Sequence, residues 1–537
     1  MRRWLVLGGA FAVAGASAGV GCAQTTCDDL GTCAGVASGQ DGGPGSPTLD
    51  APMDAPGTVD APADAVVRPD GGPCDATKRP NEDGCQPTDG SGLFVAPSPK
   101  GDDSTGTGTK AKPFASIGGA VAKATGATRI YVCEGSYGAL SLDAKATGTI
   151  TVFGGLSCAT WAFTGGKTRM APAQEGPALQ LVGVTAKIEL ADLAFEAMAA
   201  TTTETTGEGK SSIAAFVSTS QDVTFRRATL TAHAGAPGAS GSPPTEYTAA
   251  SPVGFPGSGA TPGAARTNTC GNGLPSSTGG AGGAPGGDGQ NGAPSGLPVY
   301  PAGFTGGGST SLACIASGAG GTSASFGPGG TAGPGASKSG KLAVTGWLPA
   351  SGGAGTSGGT AQGGGGAGGS AASGGGGGGP GGCGGVGGAR GAGGGASVAL
   401  LIFKSTVALR STTLNAGAGG KGGDGAAGQK GQLAETTRAS GSCSGGLGGV
   451  GGSGGGGGGG AGGLSLGIGY VGAAPMIEGA PVSDVATLPG VVVGVKGGGG
   501  GKGSGGAAAD TVTPSKPGDN GTSGVDGAAQ AVLALPE

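Results

Sequence analysis

S-I-A-A-F-V-S-T-S-Q-D-V-T-F-R-R-A-T-L-T-A-H-A-G-A-P-G-A-S-G, residues Ser212 to Gly241, recurs at Val398 to Gly425 as V-A-L-L-I-F-K-S-T-V-A-L-R-S-T-T-L-N-A-G-A-G-G-K-G-G-D-G. Val223 aligns with Val407, Phe225 with Leu409, Arg226 with Arg410 and Leu230 with Leu414, and Gly235, Gly238 and Gly241 align with Gly419, Gly422 and Gly425, all at an offset of 184 residues. An earlier copy lacks the glycine tail. Its Ile188, Leu190, Phe195 and Ala197 stand 35 residues before Val223, Phe225, Leu230 and Ala232. Three copies of one unit are the signature of a stacked repeat.

Each unit has three beats of alternating apolar residues, such as Phe216, then Val223 and Phe225, then Leu230 and Ala232, and a period of two is the strand signal. Three short strands per unit predict an all-β fold, a right-handed parallel β-helix with triangular turns. The 35-residue offset contains a polar insertion, Thr201 to Ser211, and without it the repeat is roughly 23 residues, within the usual range. Removing the glycine-rich stretch 234–395 shrinks the longer offset to a similar size. The expected coil is therefore 92–233, 396–416 and 462–496. Glycine-rich insertions at 234–395 and 417–461 hang from one corner of it, and a glycine-rich tail at 497–537 ends in a terminal strand, A-V-L-A-L-P-E.

Glycine and proline, 135 and 35 of 537 residues, are about a third of the chain, a level that marks low-complexity sequence. A net charge of -4 gives no electrostatic case for binding nucleic acid. At the amino terminus, Arg2 and Arg3 precede an apolar run from Trp4 to about Val20, so residues 1–21 read as an export signal. Two cleavage readings compete. Ala16-Ser17-Ala18 suits ordinary signal peptidase, whereas Gly19-Val20-Gly21-Cys22 is similar to a bacterial lipobox, which would place a lipid on Cys22. Residues 22–72, rich in Asp, Ala and Pro, read as a disordered, extended tether. The expected location is the outer membrane or cell surface, with a periplasmic or secreted protein as the alternative.

Giving Cys22 to a lipid leaves ten of the eleven cysteines, an even number suited to an oxidising compartment. Cys27 and Cys33 could close a small loop in the tether. Cys74 and Cys85 bracket turn-forming residues and predict a disulfide knot over 73–91. Cys133 and Cys158 fall on neighbouring coils if Val132 to Val152 is about one turn. Cys270, Cys314, Cys383 and Cys443 lie in the insertions, where two pairs would tie the loops down. A zinc site needs four ligands and His233 is the lone histidine, so no metal or cofactor is expected.

Residues Gly92 to Ala124 read as a strand, a polar loop and a helix over 113–124 with Phe114, Ile117, Val121 and Ala124 on one face. Gly101, Asp103, Gly108-Thr109, Pro113-Phe114, Ser116-Ile117, Ala120 and Ala124 resemble the opening of the DUF1565 family and other pectin-lyase-like proteins. That resemblance implies a short helix plugging the first coil. With the glycine content, the stretch from about Pro73 to Glu537 resembles exported bacterial proteins of the glycine-rich PGRS type.

Within 233–395, glycine falls every third residue at Gly280, Gly283, Gly286, Gly289 and Gly292, and does so again from Gly419 to Gly431. That period fits extended helices of three residues per turn with one bare face. Disordered loops and bundles of such helices are the two readings, with disorder the default.

No motif for chemistry survives its context. Gly166-Lys167-Thr168 lacks the first glycine of a phosphate loop. The G-x-S-x-G strings around Ser17, Ser357 and Ser453 lack a strand-turn-helix setting, and His233 reads as a plain surface histidine. Asp102-Asp103-Ser104 reads as a polar loop rather than a calcium site.

The β-helix resemblance implies polysaccharide lyase or hydrolase candidates in Asp192, Asp222, Arg226, Arg227 and Arg410, with Arg226 and Arg410 near one another on successive coils. The expectation is nevertheless a non-enzymatic, lipid-anchored envelope scaffold. It would display glycine-rich loops to extracellular polysaccharide or neighbouring surface proteins. A carbohydrate-active protein is the alternative. A third reading, a flat repeating surface of polyglycine helices that binds ice or polysaccharide, requires ordered loops.

Overall fold

A computed structural model of the chain describes residues 72–271, 273–294, 323–509 and 515–537. The export signal, Cys22, Cys27, Cys33, Cys314 and all but the last residue of the 22–72 tether lie outside the described residues. The described part is almost entirely β, with three parallel sheets that the chain visits in rotation.

The first sheet stacks Leu93–Val95, Ala127–Cys133, Thr149–Leu156, Lys187–Ala191, Val223–Arg226, Val407–Arg410 and Met476–Ile477, closed by the antiparallel Ala480–Pro481. The second stacks Ser136–Tyr137, Thr168–Met170, Leu193–Glu196, Thr229–Ala232, Thr413–Ala416 and Val491–Val492. The third stacks Leu140–Leu142, Leu179–Val182, Ser212–Ser218, Ser397–Phe403, Ser465–Val471 and Ala529–Ala534. Ladder partners follow the sequence offsets. Val223 lies between Ile188 and Val407, Phe225 between Leu190 and Leu409, and Leu230 between Phe195 and Leu414.

The period of two explains the core. Inward residues of the first two sheets, among them Ile188, Leu190, Val223, Phe225 and Leu230, are buried in one cluster, while the alternate Thr224, Arg226 and Thr231 face outward. Each fully buried apolar side chain contributes roughly 1.5–3 kcal/mol. The third sheet differs because its strands are buried on both faces: every residue of Ser212–Ser218 and Ser397–Phe403 is buried. That is why V-A-L-L-I-F reads as an unbroken apolar run. Its outer face, with Phe216, Val398, Leu401 and Leu466, packs against Leu342 and Trp347 of a hairpin formed by Gly340–Ala343 and Gly346–Pro349.

Corners between strands are tight. Asp192, Asp222, Arg227 and Ser411 all turn with φ between 47° and 57°, a conformation non-glycine residues seldom adopt. Insertions leave at one corner only, between the second and third sheets: after Glu196, Ala232, Ala416 and Val492 the chain makes an excursion before Ser212, Ser397, Ser465 and Ala529.

Several expectations are corrected. The helix is Ile117–Val121, not 113–124, because Phe114 is drawn into the sheet edge, where its amide donates to the Phe94 carbonyl, and Ser116 caps the helix by accepting from Gly119 N. The step between the first full coils is 22 residues rather than 20: Ile130 pairs with Val152, and a bulge follows between Tyr131 and Cys133. Of Val491, Val493 and Val495, only the first belongs to a strand, Val491–Val492. Described residues of the glycine insertions are not loose loops, as their hydrogen bonding shows.

Candidate functional site

The excursions run out and back as extended segments joined by backbone hydrogen bonds at every third residue. Outgoing 420–432 pairs with returning 451–463, Gly463 N donating to Gly420 O, Gly460 N to Gly423 O and Gly457 N to Ala426 O. Outgoing 497–506 pairs with 518–527 in the same way. These pairs join into a slab with segment 451–463 at its centre.

The three phases of that segment donate to three neighbours. Gly454 N and Gly457 N reach 420–432; Gly455 N and Gly458 N reach Thr356 O and Gly353 O; Gly456 N and Gly459 N reach Asp519 O and Thr522 O. Its carbonyls accept from three more: Gly388 N to Gly455 O, Gly333 N to Gly456 O and Gly503 N to Gly457 O. Six neighbours thus surround one chain, as three residues per turn allow.

This packing decides the composition. A Cβ would stand 1.9 Å from Thr331 O at Gly455, 2.2 Å from Gly503 O at Gly456 and 2.1 Å from Ala389 O at Gly457. All three phases are closed, hence the unbroken glycine run 454–460. Segment 516–527 at the edge needs only Gly518, Gly521, Gly524 and Gly527; its Asp519, Asn520, Thr522, Ser523, Val525 and Asp526 are exposed. Pro328 and Pro334 in segment 327–336 keep their carbonyls in the ladder, accepting from Gly359 N and Gly353 N. Ser453, the serine of one G-x-S-x-G string, is fully buried and donates its hydroxyl to Ala507 O. Disulfide Cys270–Cys383 ties the slab, and Cys443 is also disulfide-bonded.

The candidate catalytic residues are held in ion pairs. Arg227 forks onto Asp192 at 2.9 and 3.1 Å, and Asn81 Nδ2 donates to the same carboxylate at 2.7 Å. Arg226 donates to Glu189 at 3.2 Å and to Glu82 at 3.3 Å; Arg79 also pairs with Glu189, and Arg227 with Glu82. Arg79, Asn81 and Glu82 belong to the loop closed by Cys74–Cys85, so this network straps the disulfide loop to the first sheet. Burial raises the Asp192 carboxyl against the pull of Arg227. Burial also pushes on Glu189, but the hydrogen bond and charge of Arg79, then Arg226, outweigh it and hold Glu189 below the usual range.

Arg410 lies in register beside Arg226 and is exposed, while Asp222 pairs with Lys187 at 3.4 Å. His233 is exposed and sits 3.1 Å from Glu196. Asp103 accepts from Ala115 N and Ser116 N, and Asp102 from Ser104 N, which ties the polar loop to the helix start. Cys133 is bonded to Cys158. Among the described residues no group of three or more His, Cys, Asp and Glu could hold a metal ion, and no helix is long and apolar enough to cross a membrane.

The strap is absent from the sequence reading, although K-R-P-N-E between the two cysteines is its signal. So is a cleft of about 780 Å³ lined by Glu175, Glu208, Lys210, Trp347 and Arg390. There Glu175 accepts from Thr201 N at 2.6 Å and from both threonine hydroxyls of Thr201 and Thr202; these bonds, Thr202 first, lower its carboxyl to about 2. Glu208 accepts from Ser351 at 2.6 Å.

No family model, curated protein or solved structure matches this chain.

Proposed function

We propose that this chain is a non-enzymatic envelope protein, exported and lipid-anchored through Cys22, in which a right-handed parallel β-helix carries the glycine slab as a contact surface. The ligand would be extracellular polysaccharide or a neighbouring surface protein. The fold is read as one similar to DUF1565 and pectin-lyase-like proteins, with the Ile117–Val121 helix plugging the first coil, and the whole as PGRS-like.

The observation that carries this reading is the six-neighbour hydrogen bonding of segment 451–463. A lattice of that kind holds its surface side chains on a fixed grid, which lowers the ordering cost of binding an extended ligand. Along segment 516–527 the exposed residues Asp519, Thr522 and Val525, and beside them Asn520, Ser523 and Asp526, repeat at about 9 Å, three residues of extended helix.

Binding to insoluble envelope polysaccharide tests the proposal. The triple variant Thr522→Ala, Ser523→Ala, Asn520→Ala leaves the glycine phase intact and should weaken retention several-fold while keeping the thermal transition. Equal retention of variant and parent would remove the role of this face. The lipid is checked separately, by mass spectrometry of the mature amino terminus, where an unmodified start at Gly19 would remove the anchor.

One observation favours a second reading. The cleft that joins Glu175, Glu208, Arg390 and Trp347 has the acids and the aromatic ring of a carbohydrate-active site. Release of unsaturated or reducing ends from acidic polysaccharides, lost in Glu208→Gln, would establish it.

A further inference from the structure

A second cleft, of about 870 Å³, opens between the Cys74–Cys85 loop with the turn after it and the first strands of the first sheet. Arg129, Phe153, Thr128, Thr149, Thr151 and Ser91 line it, and Lys123, Asp75 and Asp89 stand exposed on its rim. Arg79, Arg169, Arg226 and Arg227 each pair with a carboxylate. Arg129 does not. Its guanidinium lies 4.7 Å from the centre of the Phe153 ring and 5.6 Å from that of Tyr131, and one nitrogen, Nη2, donates to Lys78 O. Nη1 is buried with no hydrogen-bond partner.

A guanidinium keeps its charge in proteins, and a desolvated charged donor left unsatisfied is costly. The carboxylates around it are engaged elsewhere. Asp75 accepts from the Thr77 amide and hydroxyl and from Lys78 N, Glu189 is held by Arg79 and Arg226, and Asp89 accepts from Lys110 N. Burial accordingly pulls the Arg129 guanidinium below its ordinary value.

We infer that this cleft binds an oxyanion, a carboxylate or a phosphate ester, carried on a small hydroxylated molecule such as an acidic sugar. Arg129 supplies the counter-charge, Lys123 steers from the rim, and the hydroxyls of Ser91, Thr128, Thr149 and Thr151 meet those of the ligand. Nothing in this depends on the role given to the glycine slab.

Titration calorimetry of the full chain with glucuronate, glucose 6-phosphate and glucose tests it. An acidic sugar should bind at least about tenfold tighter than glucose, and that preference should shrink as salt is raised. The ratio between the two acidic sugars assigns the anion as carboxylate or phosphate. Arg129→Gln should abolish the preference and Arg129→Lys should keep part of it. Because Arg129 is part-buried, the exposed Lys123→Gln serves as a second variant, weakening acidic sugars by a few-fold and leaving glucose unchanged. The inference is overturned if glucose binds as tightly as the acidic sugars, if none of the three binds, or if a folded Arg129→Gln or Lys123→Gln protein binds them as the parent does.

Discussion

Asp192 is 3% exposed, sits at a corner with φ of 57° and is held by Arg227 and Asn81. Removing one partner of such a pair strands a charge, which typically costs 3–5 kcal/mol when fully buried. Arg227 is part-exposed, so Arg227→Ala should lower the unfolding free energy by about 3 kcal/mol in denaturant titration. The pH dependence follows from the raised carboxyl. A group whose native pKa lies above its unfolded value contributes stability at low pH and loses it as pH rises through the native pKa. The Arg227→Ala deficit should therefore be largest at neutral pH and shrink as Asp192 protonates. Glu175 runs the other way. Its carboxyl is lowered to about 2 by the Thr202 and Thr201 hydrogen bonds, so its contribution is full above the ordinary glutamate range and fades toward pH 2. Hydrogen exchange of the Thr201 and Thr202 amides should rise over that window, and Glu175→Gln should flatten the response.

Adjacent phases of one extended segment give the sharpest contrast among the elements. A Cβ at Gly500 would stand 1.8 Å from Gly423 O, whereas at Gly498 nothing lies within 4 Å. Gly500→Ala should destabilise by about 2 kcal/mol or more, as overpacking does. Gly498→Ala should be neutral or slightly stabilising, because alanine restricts the unfolded chain; thermal unfolding of the two variants decides. The coil was legible in the sequence because stacking repeats the same apolar beats, and the offsets of 35 and 184 residues are the ladder registers themselves. The slab was legible only at its edges, where glycine recurs every third residue. At its centre all three phases are closed, the period vanishes into a homopolymer run, and the sequence looks like disorder. The strap left no trace of period at all. Ion pairs between residues 79–82 and 189–227 join positions more than a hundred residues apart and need only one side chain each.

Across the whole molecule, sheets and slab share backbone: Gly463 leads into strand Ser465–Val471 and Gly527 into Ala529–Ala534. Native-state hydrogen exchange should find amides of 451–463 protected to a similar degree as those of 465–471. Faster exchange by several orders of magnitude would mean that the slab opens independently. The Cys270–Cys383 bond closes a loop across 113 residues, and long loops gain most from cross-linking in the chain-entropy account. Replacing both cysteines by serine should lower stability by up to about 4 kcal/mol and make 259–294 an early site of limited proteolysis.

Because all the excursions depart from one corner, their length can change without touching the coil. The slab also behaves like a text read in triplets. Adding three residues on the way out and three on the way back lengthens an arm by about 9 Å and leaves every glycine facing its neighbour. A single added residue shifts the frame, turning bulky positions into the lattice and bare ones into solvent for the rest of that arm. Insertions and deletions in these arms should thus be tolerated in matched threes, which makes reach, rather than shape, the property most open to variation.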